Sequence, residues 1–349
     1  MHGSFRLKLS IIIAVFNRKD ELQDLLNSLV KQSDKDFEVV IVDDGSSEKL
    51  ESCALKYSDK LDIKYFYKEN SGAGLARNYG VRLASGNYFI FLDSDCIAPD
   101  NYIYKVRSNL ISKYVDAFGG ADSADASFNN LQKAISYSMT SLLTTGGIRG
   151  NKKSVDKFQP RSFNMGISKE AFQVTGGFSE LRIGEDPDLS LTLWEKGFQT
   201  RFFNDCKVFH KRRTSLKKFS RQVYHFGIAR PILNLRHPEY VKLTFWFPSL
   251  FFIYTIVSLS LLFSYYTNLP FLVKVLATIP FLFLSIYYAL IFIDSTIKNK
   301  SIQVGFLSIV TTFIQFFSYG FGFLKSYIAL NILKISPEKA FPSHYHTQS

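Results

Sequence analysis

Three apolar runs in the last third of the chain, at residues 245–266, 270–293 and 302–324, limit what it can fold into more than any other feature. Each holds about 22 residues, and at ~1.5 Å rise per residue a helix of that length crosses the hydrocarbon core of a bilayer. Successive runs this poor in charge are not the pattern of a buried soluble bundle. The net charge of +12 is concentrated just before them. Between residues 205 and 242, ten basic residues (Lys207, Lys211, Arg212, Arg213, Lys217, Lys218, Arg221, Arg230, Arg236 and Lys242) stand against Asp205 and Glu239. Such a belt suits nucleic acid or anionic lipid headgroups. Its place beside apolar spans selects membrane lipids as the expected partner and argues against nucleic acid.

A basic excess ahead of the first span keeps the preceding part of the chain in the cytoplasm. Three crossings then put the tail, residues 331–349, outside. Lys274, Lys325, Lys334 and Lys339 on that outer side run against the same rule, and two crossings with one segment lying against protein is the other arrangement the sequence allows. The apolar run at residues 11–16 is too short for a secretory signal and is followed by Asn17, Arg18, Lys19 and Asp20. Cys53, Cys96 and Cys206 lack C-x-x-C spacing, so neither a disulfide framework nor a zinc site is expected. The expected location is the inner membrane, multi-pass, with the long first part cytoplasmic.

That first part alternates strand-length apolar runs with amphipathic helices. Residues 9–16 form a continuous apolar run, and Leu22, Leu25, Leu26 and Leu29 repeat behind it at helical spacing. Further strands are predicted at 37–42, 63–67, 88–92 and 115–118, with helices between them. Fully apolar strands in this alternation predict an α/β fold, a mainly parallel sheet covered on both faces. Residues 121–159 break the pattern and predict a long functional loop or lid. Short strands follow at 200–203 and 207–209. Residues 215–229 then place Leu216, Phe219, Val223 and Phe226 on one helix face and Lys217, Lys218 and Arg221 on the other. That predicts a helix in the bilayer interface, ended by Pro231, or one packed on protein.

Residues 87–100, NYFIFLDSDCIAPD, form the strand on which chemistry centres. An aromatic and β-branched run ends in Asp93 and Asp95, and in open α/β sheets ligands bind beyond the carboxyl ends of strands. Two carboxylates with no basic neighbour in sequence repel each other and suit Mg2+ or Mn2+ holding a diphosphate. A turn with a helix cap is the plainer reading of the same residues. Asp43 and Asp44 leave an earlier strand in the same way, either as a D-G turn capped by Ser47 or as acceptors for a base or ribose. Residues 70–74, NSGAG, bring a helix amino terminus close to an anion, without being a Walker A loop or a G-x-G-x-x-G fingerprint. In residues 184–197, GEDPDLSLTLWEKG, Pro187 at the first helical position makes Asp186 an N-cap, and leaves Glu185 unexplained. Adjacent acids there could also supply a general base. His210, at a strand end beside Lys211, Arg212 and Arg213, is either structural or a metal ligand.

The order of these segments resembles the family 2 glycosyltransferases across roughly residues 8–213: VDDGS at 42–46, GLARNYG at 74–80, LDSD at 92–95, GGF at 176–178 and GED at 184–186. The resemblance implies a GT-A fold and an inverting transfer of a sugar from a nucleotide-sugar donor. It implies that Asp43, Asp44, Arg77 and Asp93 bind the donor nucleotide, and that Asp93 and Asp95 form the D-x-D pair, with Asp95 the more direct ligand of Mg2+ or Mn2+. It makes Asp186 the catalytic base with Glu185 supporting it, and lets His210 reach the metal or diphosphate. Polymerising members carry Q-x-x-R-W on an interfacial helix. Here residues 221–227 read RQVYHFG, so single-sugar addition is expected. The expected division is a GT-A domain at 1–213, a basic interfacial helix and linker at 214–243, membrane helices at 244–330 and a tail at 331–349. The expected acceptor is a lipid-linked or cell-envelope glycan, with polyprenyl phosphate, or a catalytically silent nucleotide-sugar-binding protein, as alternatives.

Overall fold

A computed structural model describes residues 7–123, 129–145, 158–210, 215–263 and 270–346. The strands are β1 (Leu9–Val15), β2 (Phe37–Asp44), β3 (Asp62–Lys68), β4 (Tyr88–Leu92), β5 (Cys96–Ile97), β6 (Ala117–Ser123), β7 (Asn164–Ser168) and β8 (Thr200–His210). The helices of the same compact unit are α1 (Lys19–Val30), α2 (Glu51–Leu55), α3 (Ala73–Leu83), α4 (Tyr102–Ser112), α7 (Lys169–Thr175) and α8 (Glu185–Glu195). A second unit holds α5 (Asn130–Thr140), α6 (Leu142–Thr145), α9 (Leu216–Arg236), α10 (Phe247–Leu262), α11 (Phe271–Asn299), α12 (Ile302–Tyr327) and α13 (Pro337–Ala340).

The first unit is an eight-stranded sheet in the order β3-β2-β1-β4-β7-β6-β8-β5. Its first four strands are parallel, as the apolar runs predicted. The period of two explains why those runs are continuous. Ile11, Ile13, Val39 and Ile41 bury against Leu22, Leu25 and Leu29 on one face, while Ile12, Val40, Phe89 and Phe91 bury against Phe172, Phe178 and Leu189 on the other. The sheet is mixed rather than purely parallel, because β7 enters its middle antiparallel to both β4 and β6. The two short strands expected near residues 200 and 207 are one strand, β8, which pairs with β6 across an irregularity at Gly120/Ala121.

Helix α8 starts at Glu185, capped by Gly184 at φ +98°, so Asp186 and Pro187 lie in its first turn. Asp186 is therefore not the N-cap. A glycine in the left-handed region makes the turn tighter than Pro187 at the first position would have required. Of the irregular stretch at 121–159, the described part is the end of β6, helices α5 and α6, and the approach to β7. Gly146, Gly147, Arg149, Gly150, Lys152 and Lys153 lie outside the described residues.

Among the described residues of the second unit, three helices are long and apolar enough to cross a membrane: Leu243–Leu262, Phe271–Asn299 and Ile302–Ile332. α11 and α12 form a hairpin turned by Lys300 at φ +51°, with Ser295 and Ser308 hydroxyls 2.7 Å apart. α12 runs beside α5, where Thr311 Oγ1 donates to the Ala134 carbonyl (3.1 Å), and beside α9, where Ser326 Oγ donates to the Ile228 carbonyl (2.9 Å). A Cβ at Gly227 would come within 2.3 Å of the Tyr319 carbonyl oxygen, so glycine allows this close helix contact. The apolar stripe of α9 is covered by protein: Phe219 and Val223 pack with Ile135, Met139, Leu131, Ile314 and Tyr319. Pro231 does not end α9, which continues to Arg236. The proline forfeits one backbone bond, and burial of Ile228, Ile232 and Leu233 around it offsets that loss.

Candidate active site

Parallel strands put their carboxyl ends on one edge, and register sets what meets there. Val15 pairs with Asp43, and Asp44 with Lys68, while β4 ends next to β1 at Leu92. The residues that follow those ends (Asn17 and Arg18, Asp43 and Asp44, Asn70 to Gly72, Asp93 and Asp95) therefore share one crevice.

Asp43 is fully buried, and its carboxylate accepts from the Ser46 and Leu50 amides (2.9 and 3.1 Å) and the Tyr65 hydroxyl (2.7 Å). Its acceptors are spent on shaping the loop after β2. Asp44 is also buried and accepts from Lys68 Nζ (2.9 Å) and the Ser71 and Gly72 amides (2.9 and 2.7 Å). It ties the loop after β3 to the end of β2 and so fixes where α3 begins. Asn17 joins the same frame by accepting from the Ser47 amide at 2.9 Å.

From α3, Arg77 reaches under the crevice. Its guanidinium is almost wholly buried, donates to Asp93 Oδ1 at 2.6 Å and lies over the Phe178 ring at 5.3 Å. Burial works against its charge, but Asp93, Asp186 and Glu185 together hold it protonated. The first turn of α8 thus brings Glu185 and Asp186 to the same group. Glu185 is pushed up to about 8, by burial first and by the Asp186 carboxylate second, with Arg77 pulling the other way. Asp186 Oδ1 is buried with no hydrogen-bond partner among the described residues, as are Nε and Nη1 of Arg77.

The expectation that Asp93 and Asp95 lack basic neighbours is corrected. Arg77 pairs with Asp93, and Arg18 Nη1 donates to Asp95 Oδ2 at 2.5 Å. These cations come from other elements, so inspection of the strand alone could not reveal them. Their charge removes the electrostatic need for a metal to hold the two carboxylates together. The donor chemistry still fits a hard cation, which takes one or two carboxylates and fills its shell from phosphate oxygens and water. Among the described residues no three His, Cys, Asp or Glu side chains form a cage by themselves. The backbone of His210 pairs with Cys96, directly after Asp95, and its side chain lies outside the described atoms.

Sequence reasoning missed Arg18, Lys68 and a segment from the far end of the chain. The signal for Arg18 was available, since it follows β1 at the edge that receives the acids. No signal pointed to the last of these. Residues 341–346 belong to the same compact unit as the sheet. There the Arg182 amide donates to the His344 carbonyl (2.8 Å), the His346 amide donates to the Glu180 carbonyl (2.9 Å), and Leu181 and Tyr345 form an antiparallel bridge.

Residues 10–175 match the family described as Glycosyl transferase family 2. The chain is 38% identical over 128 residues to an uncharacterized glycosyltransferase of Rickettsia conorii, covering 35% of this chain and 21% of that protein. It is 39% identical over 102 residues to validoxylamine A glucosyltransferase of Streptomyces hygroscopicus subsp. jinggangensis, covering 28% of this chain and 24% of that protein. The chain thus spans only about a fifth to a quarter of the length of these relatives. Its fold resembles that of the mannosyltransferase PcManGT from Pyrobaculum calidifontis, solved in complex with GDP-Man and Mn2+, with a TM-score of 0.59 at 16% identity, over 89% of this chain and 88% of that one.

Proposed function

Because the chain carries a family 2 glycosyltransferase domain followed by three long apolar helices, we propose that it moves one sugar from a nucleotide-sugar donor to a lipid-linked or cell-envelope glycan acceptor, with inversion. The transfer is hexosyltransferase-type and takes place at the cytosolic membrane face. The observation that carries this is the cluster of Arg77, Asp93, Glu185 and Asp186, in which Asp186 keeps a buried carboxylate oxygen without a partner among the described residues. A buried acceptor left unmade is costly and is retained where a substrate group completes it.

In this mechanism Asp186 takes the proton from the acceptor hydroxyl as that oxygen attacks the anomeric carbon, and the bond from that carbon to the donor diphosphate breaks on the opposite face. Glu185, beside it in the first turn of α8, holds the local negative charge low by keeping its own proton. Arg77 and Arg18 offer cationic donors toward the departing diphosphate, and they also fix Asp93 and Asp95 in place. Asp93 and Asp95, with His210 as a further candidate ligand, would hold Mg2+ or Mn2+, which would supply additional positive charge for the leaving group. Asp44 and the loop it ties down form the floor of the nucleotide end.

The domain is cytoplasmic, and two of the three long helices cross the inner membrane. The return of residues 341–346 to the catalytic domain's own compact unit supports an even number of crossings. α12 packs against α5 and α9 as well as against α10 and α11. Its length is bracketed by α5 and by α9, whose exposed Lys217, Lys218 and Arg221 would be costly in hydrocarbon. An even count leaves one of α10, α11 and α12 without a crossing of its own.

The test is nucleoside diphosphate release by detergent-solubilised protein over a panel of nucleotide sugars, with membrane lipid extract as acceptor. Release selective for one donor, lost with EDTA and restored by Mn2+ or Mg2+, is expected. Nucleotide binding without turnover would make the chain a silent nucleotide-sugar-binding protein.

A further inference from the structure

We propose that Tyr345 and His346, which follow the long apolar helices, form one wall of the pocket that receives the base and ribose of the donor nucleotide. The inference rests on the glycosyltransferase reading above and adds residues that lie far outside the matched family region, residues 10–175.

The segment is built into the domain rather than draped on it. Phe341 and His344 are buried, the two backbone bonds of an antiparallel β-bridge fix residues 344–346 against residues 180–182, and the Phe341 and His344 rings meet edge to face at 5.9 Å. So anchored, its last described residues line a small pocket with Asn70, Ser71 and Arg182. Asn70 and Ser71 belong to the loop whose amides hold Asp44, and Asn70 Nδ2 donates to the Asp44 carbonyl at 2.7 Å. His346 lies against the backbone where α3 starts: a Cβ on Gly72, whose φ is +91°, would fall 1.8 Å from the ring. Burial and the Arg182 charge hold His346 below its ordinary proton affinity, partly offset by Asp44.

From this pocket the first turns of α3 lead directly to the reacting centre. Gly72 meets His346, the Gly74 position faces Phe178 and Glu185, and Arg77 binds Asp93. A nucleoside diphosphate laid along this line has its base at Tyr345 and His346, its phosphates at Arg77, and its sugar toward Asp186. The wall chemistry matches a base and ribose: two flat aromatic rings, a side-chain amide, a hydroxyl and a guanidinium, with no apolar lining that would select a lipid tail.

The experiment compares the full chain with Tyr345→Ala, His346→Ala and His346→Phe. It measures donor KM and kcat, the affinity for nucleoside diphosphate by calorimetry, and inhibition by inorganic pyrophosphate. Each alanine variant is expected to raise donor KM and weaken nucleoside diphosphate binding on the order of tenfold, the usual cost of losing one ring stacked on a base. kcat and pyrophosphate inhibition should stay within about twofold, since neither depends on the base, and His346→Phe should restore most of the affinity. Unchanged nucleotide affinity, or tighter binding in the alanine variants, would overturn the proposal, the latter making the segment a plug. A chain that turns over no donor yet binds nucleoside diphosphate more weakly in the variants would uphold the pocket wall and sink the transferase reading instead.

Discussion

Removing the charge of Arg77 tests the electrostatic construction of the site. The guanidinium is nearly inaccessible, touches Asp93 at 2.6 Å and is the cation shared by Asp93, Glu185 and Asp186. Two unit charges ~4 Å apart interact by about 4 kcal/mol at the effective dielectric of a protein surface. Asp93 is 31% exposed, so screening reduces this to about 3 kcal/mol, the low end of what breaking a buried pair costs. For a domain of this size each kcal/mol moves the midpoint by about 2–4 °C, so Arg77→Gln should unfold about 6–12 °C below wild type. Thermal unfolding of detergent-solubilised protein without added metal reads this. If the loss arises from a carboxylate left without its cation, the double variant Arg77→Gln with Asp93→Asn recovers about 1 kcal/mol of it, because the unpaired charge is gone. A midpoint within about 2 °C of wild type, or a double variant as destabilised as the sum of the singles, would refute the reasoning.

Glu185 has a folded-state proton affinity raised above its unfolded value, so the folded protein holds the extra proton between the two and stability falls as pH rises from about 4.5 to about 8. Glu185→Gln should therefore raise the unfolding temperature most near pH 8–9 and least near pH 4.5 in a pH series, and an increment flat with pH would contradict the burial and Asp186 repulsion invoked. Asp43→Ala removes the fully buried acceptor of two amides and a hydroxyl, and should cost about 2–4 kcal/mol in the same unfolding assay. A loss under about 0.5 kcal/mol would mean that the loop does not depend on Asp43. Ser343→Cys, exposed on the returning segment of a chain whose three native cysteines are all buried, should resist a membrane-impermeant maleimide in intact cells and react once they are permeabilised. Reaction in intact cells would restore the three-crossing topology.

What the sequence made legible was whatever depends on local pattern. Apolar runs such as residues 9–16 and 88–92 announced strands buried on both faces, and the acids that end them marked the crevice edge. The long helices were visible from length and hydropathy alone. Long-range pairing was not visible. Arg18 and Asp95 are 77 residues apart, and Arg77 and Asp93 are 16 apart on different elements, so two carboxylates without local basic neighbours proved to be neutralised by arginines. Asp186 read as a helix cap because Pro187 suits a first helical position. The left-handed Gly184 shifted the start by two residues and freed the carboxylate. The place of residues 341–346 depends on edge pairing with residues 180–182, which no periodicity encodes.

The central claim, that Asp186 is the base of a glycosyl transfer, is tested most directly by the rate of nucleoside diphosphate release from the preferred donor, with acceptor present, in wild type and Asp186→Asn. Asparagine keeps the shape and removes the basicity. The account predicts a fall in kcat of at least about a hundredfold with nucleoside diphosphate affinity unchanged. Turnover at the wild-type rate would contradict it, and would favour an acceptor that is already an anion, such as polyprenyl phosphate, which needs no base.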